Sequence, residues 1–200
     1  MSKLVTIGIP MYKRFEYLPR VLEIVASQDY PNIDLLVSDN GMNGSVVREM
    51  VDKLYPKPYR FRQNPSTVGI SEHFSQLVRE ARGEYFVPLA DDDEISPNYV
   101  SDLAALLDKH PQASVAFGVQ ESFNDLNHVI GKAAIGDHNK AAGLAFGHCF
   151  EGAVYLITVA GVKRLDRAAY RSRGGPQLCN RGIGNRVIGI DQHGHQPGAR

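Results

Sequence analysis

Residues 85–94 read Tyr-Phe-Val-Pro-Leu-Ala-Asp-Asp-Asp-Glu, and this stretch is the most informative about the fold and the candidate site. Its first half is apolar and aromatic, which predicts a short strand that is buried on both faces of a sheet. Four acidic residues follow directly, and adjacent carboxylates raise one another's pKa unless a cation lies nearby. Hard oxygen ligands of this kind favour Mg²⁺ or Mn²⁺. An acidic turn in front of a helix is the alternative.

Comparable apolar runs alternate with helix-like segments along the chain. Strands are predicted over residues 4–10, 33–38, 59–62, 85–89, 114–119 and 153–157. Apolar residues at helical spacing predict helices from Phe15 to Val25, over 46–54 and 71–81, from Ser96-Pro97 to Leu107, and over 159–165, with Gly83 ending the third. Strands that alternate with helices of this length indicate an α/β fold with a mostly parallel central sheet flanked by helices.

Ligands of such sheets bind beyond the carboxyl ends of the strands. The residues that directly follow the predicted strands are therefore the candidates for a functional site. Asp39 is a second carboxylate at a strand end, and an ordinary Asx turn is its alternative interpretation. Tyr12 follows the first strand, and beside a cleft its ring can stack on a planar base.

Overall composition excludes several classes of protein. Lys and Arg total 22 and Asp and Glu total 22, so the formal charge is zero and gives no electrostatic case for nucleic acid. Two cysteines are too few for a secreted disulfide scaffold. No apolar run approaches the roughly 20 residues of a membrane span, and a strand-like run at the N-terminus leaves no room for a signal peptide. We expect a soluble, cytoplasmic protein, for which peripheral membrane association stays open.

The last thirty residues differ from the rest of the chain. Residues 171–200 carry five arginines, one acid (Asp191) and seven glycines, a net charge of +4 against −4 for residues 1–170. Such a segment buries little apolar surface, so we expect a loosely ordered Gly/Arg-rich tail. An arm that binds phosphate or a partner is the alternative.

Four motifs together resemble glycosyltransferase family 2. Residues 5–14, Val-Thr-Ile-Gly-Ile-Pro-Met-Tyr-Lys-Arg, are similar to the opening strand and loop of that family, and residues 36–41, Leu-Val-Ser-Asp-Asn-Gly, to its second strand. Residues 64–70 resemble its N-x-G-x-x-x-N passage, with His73 near a position where a further Asn is common. Residues 81–97 match its A-R-G-E-Y…L-x-x-D-D…P segment closely. The resemblance is specific over residues 4–100 and weaker over 101–165, and residues 170–200 match nothing in the family.

The resemblance implies a Rossmann-like, A-type glycosyltransferase fold. Residues 1–100 would form the half that binds a nucleotide sugar, and 101–170 part of the acceptor half. It implies transfer of a sugar from a nucleoside diphosphate donor, a UDP-sugar above all, to an acceptor hydroxyl on a saccharide, lipid-linked or other molecule. Transfer in this family usually inverts the anomeric carbon.

The resemblance also implies roles for individual residues. Tyr12 would stack on the nucleobase, and Asp39 would accept a hydrogen bond from it. Asp91 would face the ribose or the sugar, while Asp92 and Asp93 would hold Mn²⁺ or Mg²⁺ on the diphosphate. The further donor-binding positions are Pro10, Arg14, Asn64 and Gly69.

A catalytic base is the part of the family pattern with the least sequence support. Family members usually run well past 200 residues and carry this Asp or Glu in the acceptor half. The corresponding window here holds only Asp191, which is the candidate base. Two other functions stay open: a nucleotide-sugar-binding chain without turnover, and an α/β enzyme of metal-assisted phosphoryl chemistry such as a nucleotidyltransferase.

Overall fold

The computed structural model describes residues 1–111, 113–118, 120–123, 129–133, 155–159 and 186–189. The helices in these ranges are α1 (Leu18–Ala26), α2 (Gly44–Leu54), α3 (Ile70–Glu80) and α4 (Tyr99–Lys109). The strands are β1 (Val5–Met11), β2 (Ile33–Asp39), β3 (Tyr59–Gln63), β4 (Tyr85–Pro88), β5 (Ala113–Phe117), β6 (Gln120–Phe123), β7 (Val129–Ala133), β8 (Tyr155–Thr158) and β9 (Arg186–Gly189). No helix in this part of the chain is long and apolar enough to cross a bilayer.

Seven strands form one sheet in the order β3-β2-β1-β4-β8-β5-β9. The first four in that order pair in parallel. β8 is antiparallel to both of its neighbours, β4 and β5, while β9 pairs in parallel with β5. All strands of this sheet except β8 therefore share one direction, which confirms the predicted mostly parallel sheet. β6 and β7 form a separate antiparallel pair.

Helices cover both faces of this sheet. On one face α1, α2 and α4 contribute Leu22, Val47 and Leu103 to a large buried apolar cluster. On the other face α3 places Leu77 in a second cluster with Phe86 of β4. Each such side chain is worth roughly 1.5–3 kcal/mol when it is removed from water. The two clusters hold the helices against the sheet.

The order of the strands reverses between β1 and β4. From β1 the chain moves outward to β2 and β3, and α3 then returns it across the other face to place β4 on the opposite side of β1. β4 pairs with β1 in the register Val5↔Tyr85 to Gly8↔Pro88, so the loops that follow these two strands are neighbours. Ligands of open α/β sheets bind at such a switch point.

The sequence predicts that Gly83 ends α3, but Gly83 has a different role in the structure. The helix ends at Glu80, and a Cβ on Gly83 would lie 2.4 Å from the carbonyl oxygen of Leu4. The Gly83 amide donates a hydrogen bond to Thr6 Oγ1 at 2.9 Å. Glycine is needed here because the backbone presses against β1.

The start of α4 also differs from the predicted one. The helix begins at Tyr99, and the Ser96 carbonyl accepts a hydrogen bond from the Tyr99 amide at 3.0 Å. Gln28, two residues after α1, donates from Nε2 to the same carbonyl at 2.9 Å and accepts from the Val100 amide at 3.3 Å. The Gln28 side chain therefore supplies the hydrogen-bond acceptor for the first turn of α4 that Ser96 is predicted to supply.

One short piece of the predicted tail is described. β9 lies beside β5 at the end of the sheet order. The other residues of 171–200 and all but the first of the predicted helix 159–165 lie outside the described residues. The division of the chain at residue 170 stays a prediction.

Candidate functional site

One guanidinium connects the two loops at the switch point. Arg14, after β1, donates from Nη2 to Asp91 Oδ1 at 2.5 Å and from Nη1 to Asp92 Oδ2 at 2.8 Å. The Asp91 side chain is 5% exposed, whereas those of Asp92 and Arg14 are 42% and 49% exposed. Arg14 thus bridges an inner and an outer carboxylate, both directly after β4.

The electrostatics of this loop favour a bound cation. Burial raises the pKa of Asp91, and the charge of Arg14 opposes that shift. Burial and the neighbouring charge of Asp92 raise the pKa of Asp93. Each carboxylate is therefore easier to keep ionised when positive charge lies close to it.

The donor set suits a divalent metal that shares its ligands with a substrate. Mg²⁺ is commonly held by one or two carboxylates together with substrate phosphates. Asp92 presents a half-exposed carboxylate, and Asp91 and Asp93 flank it. Across the described ranges no group of three or more His, Cys, Asp and Glu side chains could hold a metal ion. The residues present fit a metal bound by Asp92 and a neighbour, with phosphate oxygens completing its coordination.

A second arginine ties α1 to the acidic loop without touching the central carboxylates. Arg20 donates from Nε and Nη2 to the Glu94 carboxylate at 3.2 and 3.1 Å, and from Nη1 to Glu23 at 3.0 Å. All three side chains are more than half exposed. This contact holds the loop at its exposed end. Arg20 and Arg14 carry the same charge, but Arg20 pairs with Glu23 and Glu94 whereas Arg14 pairs with Asp91 and Asp92.

Asp39 is buried at the end of β2, and its carboxylate organises the loop that follows. Oδ1 accepts a hydrogen bond from the Gly41 amide at 2.8 Å, and Oδ2 accepts one from the Asn43 amide at 2.6 Å. These contacts are those of the Asx-turn interpretation. A carboxylate has room for further donors, so hydrogen bonding to a base edge stays a prediction.

Asn40 holds the loop after β3 against the end of β2. Its Nδ2 donates to the Val68 carbonyl at 2.9 Å, and its Oδ1 accepts from the Val68 amide at 2.9 Å and from Asn64 Nδ2 at 2.8 Å. Its backbone amide donates to the Met11 carbonyl at 2.9 Å. Asn40 therefore connects the ends of β1 and β2 to residues 64–68, and its position directly after Asp39 is the only sequence signal of that role.

Asn64 lies inside this network with one unused acceptor. Its side chain is 1% exposed, its Nδ2 donates to Asn40, and its Oδ1 has no hydrogen-bond partner. Buried polar atoms without partners are uncommon, and each one calls for an explanation. A donor contact of Asn64 stays a prediction, because its Oδ1 is buried beneath the surface of this edge.

His73 anchors α3 to the same edge of the sheet. Its Nε2 lies 2.8 Å from Ser38 Oγ, and both side chains are buried. Burial and the charge of Arg62 lower the pKa of His73. A neutral imidazole paired with a hydroxyl is a packing contact beneath the site, and the sequence singles out His73 only as a departure from the family pattern.

The other predicted donor-binding residues lie around the same edge. Pro10 is half-buried near the end of β1, and Tyr12 is 45% exposed, with Lys13 Nζ 5.1 Å from its ring centroid. Gly69 is the exposed N-cap of α3, and a Cβ added to it would meet no atom within 4 Å. Tyr12 and Gly69 leave open surface on which a ligand could lie.

Two residues that follow β1 and β2 adopt a left-handed backbone. Lys13 has φ of 62° and Met42 has φ of 61°, and neither is a glycine. Such conformations cost about 1–3 kcal/mol and cluster at functional sites. A Cβ on Gly41 would lie 3.2 Å from the Lys13 amide nitrogen, so the two loops pack closely against each other.

The structure brings together Arg14, Asp91 and Asp92 by direct contacts, and it joins Asn64 to the end of β2 through Asn40. Asp191, the candidate base, lies outside the described residues.

This sheet order is that of the A-type glycosyltransferase fold. The chain belongs to glycosyl transferase family 2, whose sequence pattern matches residues 6–146. Abequosyltransferase RfbV of Salmonella typhimurium is 30% identical over 110 residues, which make up 52% of this chain and 33% of that protein. The chain thus spans about a third of the length of that curated relative.

Solved structures show the same fold. TarS 1–349 of S. aureus in complex with UDP-GlcNAc superposes with a TM-score of 0.64 at 16% identity, covering 82% of this chain and 47% of that one. The mannosyltransferase PcManGT of Pyrobaculum calidifontis, in complex with GDP-Man and Mn²⁺, gives a TM-score of 0.56 at 18% identity over 82% of this chain and 47% of that one. At these identities the likeness shows the fold.

Proposed function

We propose that the chain binds a UDP-sugar together with Mn²⁺ or Mg²⁺ and transfers the sugar to an acceptor hydroxyl with inversion. The observation that carries this proposal is the position of Asp91, Asp92 and Arg14 at the switch point, beside the ends of β1 and β2. TarS binds UDP-GlcNAc on the same fold, which supports a UDP-sugar as the first donor to test.

The residues of this edge divide the work of holding the donor. Asp39 would receive the base edge, and Tyr12 would cover one face of the base with its exposed ring. Asp91, which is buried in the loop after β4, would orient the ribose or the sugar. Asp92, with Asp91 or Asp93, would hold the divalent cation, which when bound neutralises charge on the departing diphosphate.

Inversion requires a carboxylate that accepts the proton of the attacking hydroxyl on the face opposite the leaving group. Asp191 is the candidate for this base. Arg14, which contacts the acidic loop, would serve phosphate binding rather than proton transfer, since an arginine is protonated at neutral pH. A reducing, cytoplasmic compartment remains part of the proposal because two cysteines are too few for a disulfide scaffold.

Isothermal titration calorimetry across UDP- and GDP-sugars, with Mn²⁺ and with chelator, tests the proposal. We expect UDP-sugars to bind more tightly in Mn²⁺ than in chelator. We expect GDP-sugars to bind less tightly than UDP-sugars. Acceptor-dependent release of UDP then tests transfer. Equal binding of every donor in chelator and in metal would remove the metal from the proposal, and no binding at all would remove the donor.

A nucleotide-sugar-binding chain without turnover is the second candidate. The family match ends at residue 146, before the candidate base at Asp191. Tight donor binding without UDP release for any acceptor, in wild type and in Asp191→Asn alike, would favour this function.

A further inference from the structure

The contact that suggests a regulatory role is the pair of hydrogen bonds from Arg14 to Asp91 and Asp92. Its guanidinium lies where the proposed function needs a metal ion, since it already occupies Oδ1 of Asp91 and Oδ2 of Asp92. The inference therefore rests on the proposed function. Among the described residues, no other arginine or lysine contacts either carboxylate.

The charges at this point do not allow both cations to bind equally well. Two carboxylates carry a charge of −2, and Arg14 already supplies +1. A divalent ion on Asp92 would lie within a few ångströms of the guanidinium, and like charges at that separation repel strongly where solvent is partly excluded. Asp91 is almost fully buried, which weakens the screening of that repulsion.

The donor offers Arg14 an equivalent partner. A diphosphate presents pairs of anionic oxygens, and the planar guanidinium binds carboxylate and phosphate with the same two-pronged geometry. The Arg14 side chain is 49% exposed, and it follows Lys13, whose φ of 62° marks a loop that is not regular strand. Arg14 can therefore exchange carboxylates for phosphate without unfolding a helix or a strand.

We propose that Arg14 competes with the divalent metal in the donor-free protein and moves to the diphosphate when the donor binds. The metal and the donor then bind with positive coupling, and by linkage each raises the affinity of the other by the same factor. Free metal is bound weakly, and the cation site forms fully only with the substrate.

Binding of Mn²⁺ to the donor-free protein, measured by electron paramagnetic resonance, tests this role of Arg14. Loss of two partly exposed ion pairs that compete with the metal should tighten Mn²⁺ binding in Arg14→Gln by about five- to thirtyfold. Arg20→Gln is the matched control, because it removes the same charge from α1 and leaves Asp91 and Asp92 untouched. Its Mn²⁺ affinity should stay within about twofold of wild type, since exposed distant charges are screened.

The same titration with saturating UDP measures the coupling. In wild type UDP should tighten Mn²⁺ binding, and in Arg14→Gln this gain should shrink by the factor already seen without UDP. Mn²⁺ affinity in Arg14→Gln equal to that of Arg20→Gln, or weaker, would overturn the inference. If Arg14→Gln does not fold, the wild-type titration still tests the coupling, because absence of any effect of UDP on Mn²⁺ binding refutes it. Failure of the proposed function is a distinct result, in which wild type binds no UDP-sugar.

Discussion

Replacing Asn40 by Ala should remove the side-chain hydrogen bonds that hold the loop after β3 against the end of β2. The Asn40 side chain is 4% exposed and makes three hydrogen bonds, two to the backbone of Val68 and one to Asn64 Nδ2. Each contributes about 0.5–1.5 kcal/mol, and the Asn64 amide would be left buried without a partner. Val68 is half-buried, so water can replace some of the hydrogen bonds that its backbone loses. We expect Asn40→Ala to lower the free energy of unfolding by about 2–3 kcal/mol.

Urea denaturation followed by circular dichroism measures this difference, and a thermal scan should show a Tm lower by about 4–12 °C for a chain of this length. Asn43→Ala is the matched control in the same loop. The Asn43 side chain makes one hydrogen bond, from Nδ2 to the Gly41 carbonyl at 2.8 Å, and is half-buried. Its loss should cost about 1 kcal/mol or less.

Donor binding provides a second readout for the same variant. If Asn40 positions residues 64–69 for the donor, UDP affinity should fall in Asn40→Ala even at temperatures where the protein remains folded. The reasoning is refuted if Asn40→Ala costs no more free energy than Asn43→Ala. It is also refuted for the site if stability falls and UDP affinity stays that of wild type.

The remaining predictions concern single side chains of the same edge. Asp92→Asn should abolish the difference between UDP-sugar affinity in Mn²⁺ and in chelator; an undiminished difference would exclude Asp92 as a ligand. Asp39→Ala should lower the free energy of unfolding by about 1–3 kcal/mol, because two loop amides lose their acceptor, and should also weaken UDP binding. His73 has a lowered pKa in the folded protein, so the unfolded chain binds more protons and stability falls as the pH drops below about 6.5. His73→Gln should reduce that slope between pH 6.5 and 5, and identical slopes in urea titrations would contradict this role.

Much of the fold and part of the candidate site follow from the sequence. The alternation of buried strands with amphipathic helices over residues 1–117 predicts the parallel sheet that the structure contains. These signals are local, because side-chain periodicity reports which faces of one element are buried. The rule that ligands bind at the carboxyl ends of strands then selects Asp39 and the 91–93 run without any knowledge of the strand order.

Details at the ends of elements could not be predicted in this way. Gly83 is a residue type that commonly ends helices. In the structure glycine is needed there because the Leu4 carbonyl oxygen, far away in sequence, leaves no room for a Cβ. Ser96 is a typical helix-capping residue, but Gln28, after α1, provides the hydrogen bonds that hold the start of α4. Local turn chemistry competes with partners that only the folded chain brings near.

The sequence alone determined which residue types lie at the ends of the strands, because the apolar pattern of a strand and the turn residues that end it are separated by only a few positions. Only the tertiary structure decided that Arg14 bridges Asp91 and Asp92, and that Asn40 joins Asn64. These partners follow different strands. The pairing of β4 with β1 places the loops of Arg14 and Asp91 side by side, and the pairing of β3 with β2 places Asn64 beside Asn40. Long-range contacts of this kind depend on how β-strands choose neighbours, which is settled by packing of the whole core and not by any segment of it.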